Sequence, residues 1–195
     1  MDQIRAQIRA VLNGDARAFA KLVDQHKRLV SHIVFRLIPA ESDREDLCQD
    51  VFLKVYQNLD GFHFNAKLST WIARIAYNTC LNFLDKKRES LYEDLAPVGE
   101  TLDSLPVDND RPDTITEQRQ QAVRLCEEID QLPVQYGLIL SLYHLQDMSY
   151  AEIGRILSMP DGTVKSYLFR ARRLLKERLV SRAAEEKDYV CAVSI

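Results

Sequence analysis

Seven Lys/Arg side chains stand against one acid between Thr163 and Arg182. At about 100° per residue, Val164, Leu168, Ala171 and Leu175 fall on one side of that stretch. Ser166, Phe169, Arg170 and Arg173 fall on the other, with Thr163 at its entry and Lys165, Arg172 and Lys176 on its flanks. Ammonium and guanidinium groups neutralise phosphates, and a guanidinium also matches the edge of guanine. Such a face suits an anionic duplex. A solvated basic helix has the same charge, so the elements that hold this face decide between the two.

Those elements have helix-turn-helix spacing. Ser149 followed by Glu152 forms a capping box, with Met148 and Ile153 placed as a hydrophobic staple. The first helix runs through Ile153, Ile156 and Leu157 and ends at Ser158 and Met159. Pro160 suits the first position of a second helix, where its missing N–H costs nothing. The second helix is the reading helix of such a motif.

Two earlier helices carry further candidate faces. Ser42 and Glu45 form another capping box, and the helix after them buries Leu47, Val51, Val55 and Leu59. Asp46, Gln49, Asp50, Leu53, Tyr56 and Gln57 occupy its opposite face. Acids mixed with large apolar groups resemble a protein-binding surface; a helix buried on both sides is the other reading. The loop 60–68 carries two aromatics and one Lys, after which Ser69 can cap a helix reaching Arg88. Ile72, Ile75, Ala76, Thr79 and Phe83 face its core, whereas Trp71, Asn78 and Asn82 share one flank. Lys86, Lys87 and Arg88 close it. Aromatics beside Asn and a basic end suit single-stranded bases and backbone. The same residues also fit a core Trp71 with two exposed asparagines.

The rest of the chain supports this frame. Asp15 caps a helix whose apolar stripe includes Phe19, Leu22, Val23, His26, Val30, Ile33 and Leu37. Pro133 starts another helix, with Leu138, Ile139, Leu142 and Leu145 as its inward stripe. No strand alternation occurs, so the fold is all-α. Net charge is −3 over 195 residues, but unevenly spread: +3 over 1–90, −7 over 91–118 and +1 over 119–195. Two mildly basic blocks are thus joined by an acidic segment of low periodicity, expected to be a flexible linker. The expected organisation is a helical domain at 1–90, a linker at 91–115, a second helical domain at 116–182 and a fraying tail at 183–195.

Several functions find no residues to carry them. No nucleophile–base set, phosphate-cradling glycine loop or paired-carboxylate site emerges, so no enzyme is expected. Cys48, Cys80, Cys126 and Cys191 form no C-x-x-C pair, and no metal or cofactor site is expected. No apolar run is long enough to span a membrane, and the N-terminus lacks a signal-peptide core. A cytoplasmic protein is expected.

Taken in order, three stretches resemble bacterial RNA polymerase sigma factors of the extracytoplasmic-function (ECF) group. "DREDLCQDVFLKVYQNLDGF" is similar to region 2.2, "STWIARIAYNTCLNFLDKKR" to regions 2.3 and 2.4, and the stretch 132–175 to region 4. The resemblance implies an alternative sigma factor without catalysis of its own. Its partners would be core RNA polymerase (clamp helices and flap), promoter DNA and an anti-sigma factor. Asp46, Gln49, Asp50, Leu53 and Tyr56 would meet polymerase. Phe64, Asn65, Lys67, Trp71, Asn78, Asn82, Lys86 and Arg88 would lie along the melted −10 strand. Thr163, Lys165, Ser166, Phe169, Arg170 and Arg173 would face the −35 duplex. Two positions depart from the family. Its frequent F-R-G-[DE]-S loop is Phe62-His63-Phe64-Asn65-Ala66 here, and Tyr167 replaces an Arg common after the serine of the reading helix. A stand-alone helix-turn-helix regulator is the competing reading; it needs an effector pocket or a dimerisation helix and leaves the 2.2-like face unexplained.

Overall fold

The computed structural model describes residues 2–94 and 125–193. Every regular element among them is helical: α1 (Asp2–Leu12), α2 (Ala16–Leu37), α3 (Glu41–Gln57), a tight turn of helix at Leu59–Gly61, and α4 (Leu68–Asp94). A fifth helical stretch, α5, is described over 125–130. It is followed by α6 (Val134–His144), α7 (Tyr150–Leu157) and α8 (Asp161–Val193). The chain divides into two compact units, Met1–Thr101 with Ala151–Met159, and Leu102–Tyr150 with Pro160–Ile195.

In the first unit α2 packs on α3 and α4, α3 on α4, and α1 on α2. The stripes foreseen from periodicity meet there: Leu22, Val30 and Ile33 of α2, Leu47, Val51 and Val55 of α3, and Ile72, Ala76 and Thr79 of α4 are buried, with Cys80 beside them. Burial pushes the Cys80 thiol up to about 12, which keeps it protonated and inert. Gly14 ends α1 with φ +86°, and the paired bonds Gly14 N–H to Val11 O (2.9 Å) and Asp15 N–H to Ala10 O (3.0 Å) close a Schellman turn. Asp15 then caps α2, its carboxylate accepting from the N–H groups of Arg17 and Ala18.

Helix starts differ from expectation in three places. The helix expected after Ser42 begins at Glu41, Ala40 holds the cap position without a side-chain bond, and the Ser42 hydroxyl donates to Asp43 instead. Ser69 lies inside the first turn of α4, because Lys67 O already accepts from Trp71 N–H at 3.1 Å. Pro160 caps α8 rather than opening it, since its carbonyl takes the N–H of Thr163 (2.9 Å) and of Val164 (3.1 Å).

The second unit is built on α6 against α8. Leu138, Ile139 and Leu142 are buried as foreseen, together with Val164, Leu168 and Ala171, but Leu145 is 49% exposed because α6 has already ended. Glu128 is buried and clamped by two arginines of α8: Arg178 Nε at 2.9 Å and Arg182 Nη1 at 2.6 Å. Beyond Arg182, α8 continues as helix to Val193, over residues expected to fray. The expected linker begins inside α4, which holds residues 91–94; its remainder and the start of α5 lie outside the described residues.

Candidate nucleic-acid interface

The local turn between α7 and α8 fixes where the reading helix starts. Ser158 adopts φ 55°, and Met159 N–H bonds Gly154 O at 2.9 Å, a Schellman closure made with serine instead of the usual glycine. Beyond Pro160, α8 presents the face foreseen from sequence. Lys165, Ser166, Phe169, Arg170 and Arg173 are exposed, and Thr163 is half-buried at the entry. Phe169 is 69% exposed, more than any other large apolar side chain described. Lys165, Ser166, Phe169, Arg170 and Arg173 line a shallow groove of about 920 Å³ with Tyr136 and Leu174. These groups are not all equally available. The Ser166 hydroxyl donates to Gly162 O at 2.9 Å, and Arg173 lies 3.6 Å from Glu177.

Two neighbours of that face have structural work instead. Tyr167 packs its ring against Tyr136 of α6, with centroids 5.4 Å apart. Tyr167 therefore joins α8 to α6. Arg172 lies over the ring of Tyr143 at 5.2 Å and donates to His144 Nε2 at 3.3 Å. Burial, reinforced by that guanidinium, holds His144 below its ordinary pKa, so the pair is a neutral acceptor beside a cation. Neither contact is visible in periodicity, because each joins residues roughly one helix pair apart.

The loop before α4 is ordered by aromatic packing. Phe62 is buried, its ring 4.8 Å from Phe64 and 5.4 Å from Trp71. Trp71 is half-buried in this stack, between the two expectations for it. Phe64 is 38% exposed and adopts φ 60°, a left-handed conformation that is an outlier for a bulky residue. It stands at the position of the glycine frequent in the loop that this stretch resembles. Arg5 of α1, missed from sequence, lies over its ring at 5.0 Å. Asn65 and Lys67 are exposed, and Lys67 Nζ lies 3.0 Å from the Glu152 carboxylate, which also accepts from Thr70 Oγ1 at 3.3 Å. Further along α4, Asn78, Asn82, Lys86 and Arg88 are exposed. Lys87 is tied to Asp43 of α3 at 2.9 Å.

On α3, Asp46, Gln49, Asp50, Leu53 and Tyr56 are all exposed. Leu53 is 54% and Tyr56 47% exposed, which removes the reading of a helix buried on both sides. Tyr56 is braced edge-on by Phe19, with ring centroids 5.0 Å apart. The result is two exposed apolar side chains set among polar ones, with Tyr56 braced from α2. Among the described residues no group of His, Cys, Asp or Glu could hold a metal ion, and no helix is long and apolar enough to cross a membrane.

Comparison with known proteins gives the chain a family context. Residues 22–90 match the model of sigma-70 region 2, and residues 122–175 match that of sigma-70 region 4. The chain is 31% identical over 180 residues to the ECF RNA polymerase sigma factor SigW of Bacillus subtilis (strain 168), covering 90% of this chain and 96% of SigW. It is 29% identical over 182 residues to the ECF RNA polymerase sigma-E factor of Escherichia coli (strain K12), covering 88% and 92% respectively. Among solved structures, the sigma factor RpoE of Bartonella quintana, crystallised with the anti-sigma factor NepR, shares the fold with a TM-score of 0.65 at 20% identity, covering 84% of this chain and 98% of RpoE.

Proposed function

The chain belongs to the ECF group of sigma-70 family sigma factors, and from that premise we propose how its regions divide the work of transcription initiation. It is an alternative sigma factor, which binds core RNA polymerase and directs it to particular promoters. Region 4 reads the −35 duplex through Thr163, Lys165, Ser166, Phe169, Arg170 and Arg173. Region 2 takes the melted −10 strand along Phe64, Asn65, Lys67, Trp71, Asn78, Asn82, Lys86 and Arg88. Polymerase docks on Asp46, Gln49, Asp50, Leu53 and Tyr56. The chain's own contribution is binding rather than catalysis, exercised in the cytoplasm where polymerase and promoter meet. As with the RpoE relative, an anti-sigma factor is its expected regulator, covering the polymerase- or DNA-facing surfaces.

The observation that carries this reading is the α3 face. Leu53 and Tyr56 stand exposed among three polar side chains, at the position of region 2.2. A stand-alone regulator has no use for such a face, whereas a sigma factor needs it. An apolar anchor set within polar groups suits a protein interface, where a few central side chains dominate affinity. Leu53→Asp combined with Asp50→Lys therefore abolishes capture by core polymerase while leaving helicity by circular dichroism unchanged. Undiminished capture by a folded variant refutes the docking assignment, and failure of the parent chain to bind core polymerase refutes the sigma reading as a whole.

A further inference from the structure

The reading helix is tied to α6 at two places outside its buried stripe. At about 100° per residue, Tyr167 and Arg172 fall on opposite flanks of the stripe that buries Val164, Leu168 and Ala171. On one flank the Tyr167 ring packs on Tyr136, with centroids 5.4 Å apart. On the other, Arg172 lies over the Tyr143 ring at 5.2 Å, and both its Nε (3.3 Å) and its Nη2 (3.2 Å) reach His144 Nε2. Tyr143 in turn stacks on Tyr150, the first residue of α7, with centroids 5.2 Å and planes 16° apart. Phe169 and Arg170 lie between the two ties in the chain, and Arg173 follows the second.

The two kinds of contact restrain different motions. Burial of Val, Leu and Ala depends on area and has no direction, so it holds α8 down without fixing its roll about its own axis. Ring packing and hydrogen bonds are directional, and one on each flank opposes a roll either way. On a helix about 10–12 Å across, a roll of about 10° carries an outward side chain about 1 Å sideways. A bond to a base edge weakens steeply at such an offset. A guanidinium has donors only, so the second tie exists only while His144 Nε2 is unprotonated. The groups facing that imidazole are Arg172 from α8 and Tyr143 from its own helix, with Tyr150 of α7 behind Tyr143. Burial and the Arg172 charge keep His144 below its ordinary pKa of 6.5, which favours the acceptor form at neutral pH.

We propose that Tyr143 and His144 are positioning residues for −35 specificity: by holding Arg172 they set the roll of α8, and so the angle at which Phe169, Arg170 and Arg173 meet base edges. Neither residue touches DNA in this role, which separates them from the reading face itself. The inference rests on the assignment of region 4 to the −35 duplex.

For the test, holoenzyme reconstituted from the full chain and core polymerase first selects its preferred −35 sequence from a promoter library randomised at that element. The selected duplex and a scrambled one are the probes, and the quantity read is the ratio of the two affinities. Phosphate attraction is common to both duplexes and cancels in that ratio. His144→Ala lowers the ratio about tenfold, the scale of one lost bidentate contact, and leaves affinity for the scrambled duplex unchanged. His144→Gln, which keeps an acceptor, retains the parent's ratio. Lowering the pH below 6.5 reduces the parent's ratio but not that of His144→Gln, because protonation removes the acceptor only from histidine. A parent-like ratio in folded His144→Ala, or a pH decline shared by the parent and His144→Gln, overturns the inference. Should His144→Ala fail to fold, the pH comparison alone decides. A parent holoenzyme that selects no −35 sequence refutes the reading of region 4 itself, whereas selection followed by a silent His144→Ala refutes only the positioning role.

Discussion

At the scale of single residues, position on a helix face sets which contacts are specific and which are only electrostatic. Arg170 is exposed on α8 opposite the buried Val164, where a guanidinium in a major groove can make two parallel bonds to guanine. Arg170→Ala is expected to cost about 1–3 kcal/mol at one −35 base pair and to relax preference there, measured by binding to a set of single-substitution duplexes. Lys176 is exposed one turn or more further along and flanks that face. Lys176→Ala is expected to weaken all duplexes alike and to lower the salt slope by about one. These two faces were legible in the sequence because a helix repeats every few residues. The partners of Tyr167, Arg172 and Phe64 were not, since Tyr136, His144 and Arg5 are distant in sequence and leave no local pattern. Phe64 shows the limit most clearly: the loop's departure from glycine was visible, but the left-handed backbone and the arginine over the ring were not.

At the scale of elements, the helix spans and inward stripes were largely legible, whereas their ends were not. Ser42, Ser69 and Pro160 each stood one or two residues from the role expected for it. A cap is chosen by whichever backbone or side-chain acceptor reaches the first turn, so several adjacent residues compete for it. The continuation of α8 past Arg182 was likewise missed, whereas the Glu128 clamp lies within the expected domain. Burial acts to raise the Glu128 carboxyl, but hydrogen bonds from Arg182 and Arg178 prevail and hold it below its ordinary value of 4.5. A carboxyl depressed in the folded state contributes stability that is complete above its unfolded pKa. That stability is lost as pH falls through the folded value. The unit containing α5 and α8 is therefore expected to lose thermal stability as pH drops below about 4.5, the ordinary value for this group. Glu128→Gln should lower stability at neutral pH by about 1–3 kcal/mol, the scale of charge-assisted bonds, and should flatten the acid decline. Thermal melts across pH check both; a variant with the parent's acid profile excludes Glu128 as the titrating group.

At the scale of the whole molecule, the uneven charge of the sequence and the two kinds of surface point to a sequential encounter with DNA. Net charge is only −3, so affinity for a promoter must come from local faces rather than from a general basic field. In the proposed assignment the α8 face meets a duplex, which exists before melting begins. Asn78 and Asn82 lie exposed on α4, beyond a loop packed by Phe62, Phe64 and Trp71, and unpaired bases reach such a surface only after strands part. Single-strand binding of this kind draws on stacking and amide contacts that a paired base cannot offer. Asn78→Ala in the holoenzyme is therefore expected to leave closed-complex affinity nearly unchanged while reducing the population of open complexes. Permanganate reactivity of unpaired thymines reports the second quantity and low-temperature binding the first. A variant that weakens both alike places Asn78 on the duplex, and the separation of duplex reading from strand capture then fails.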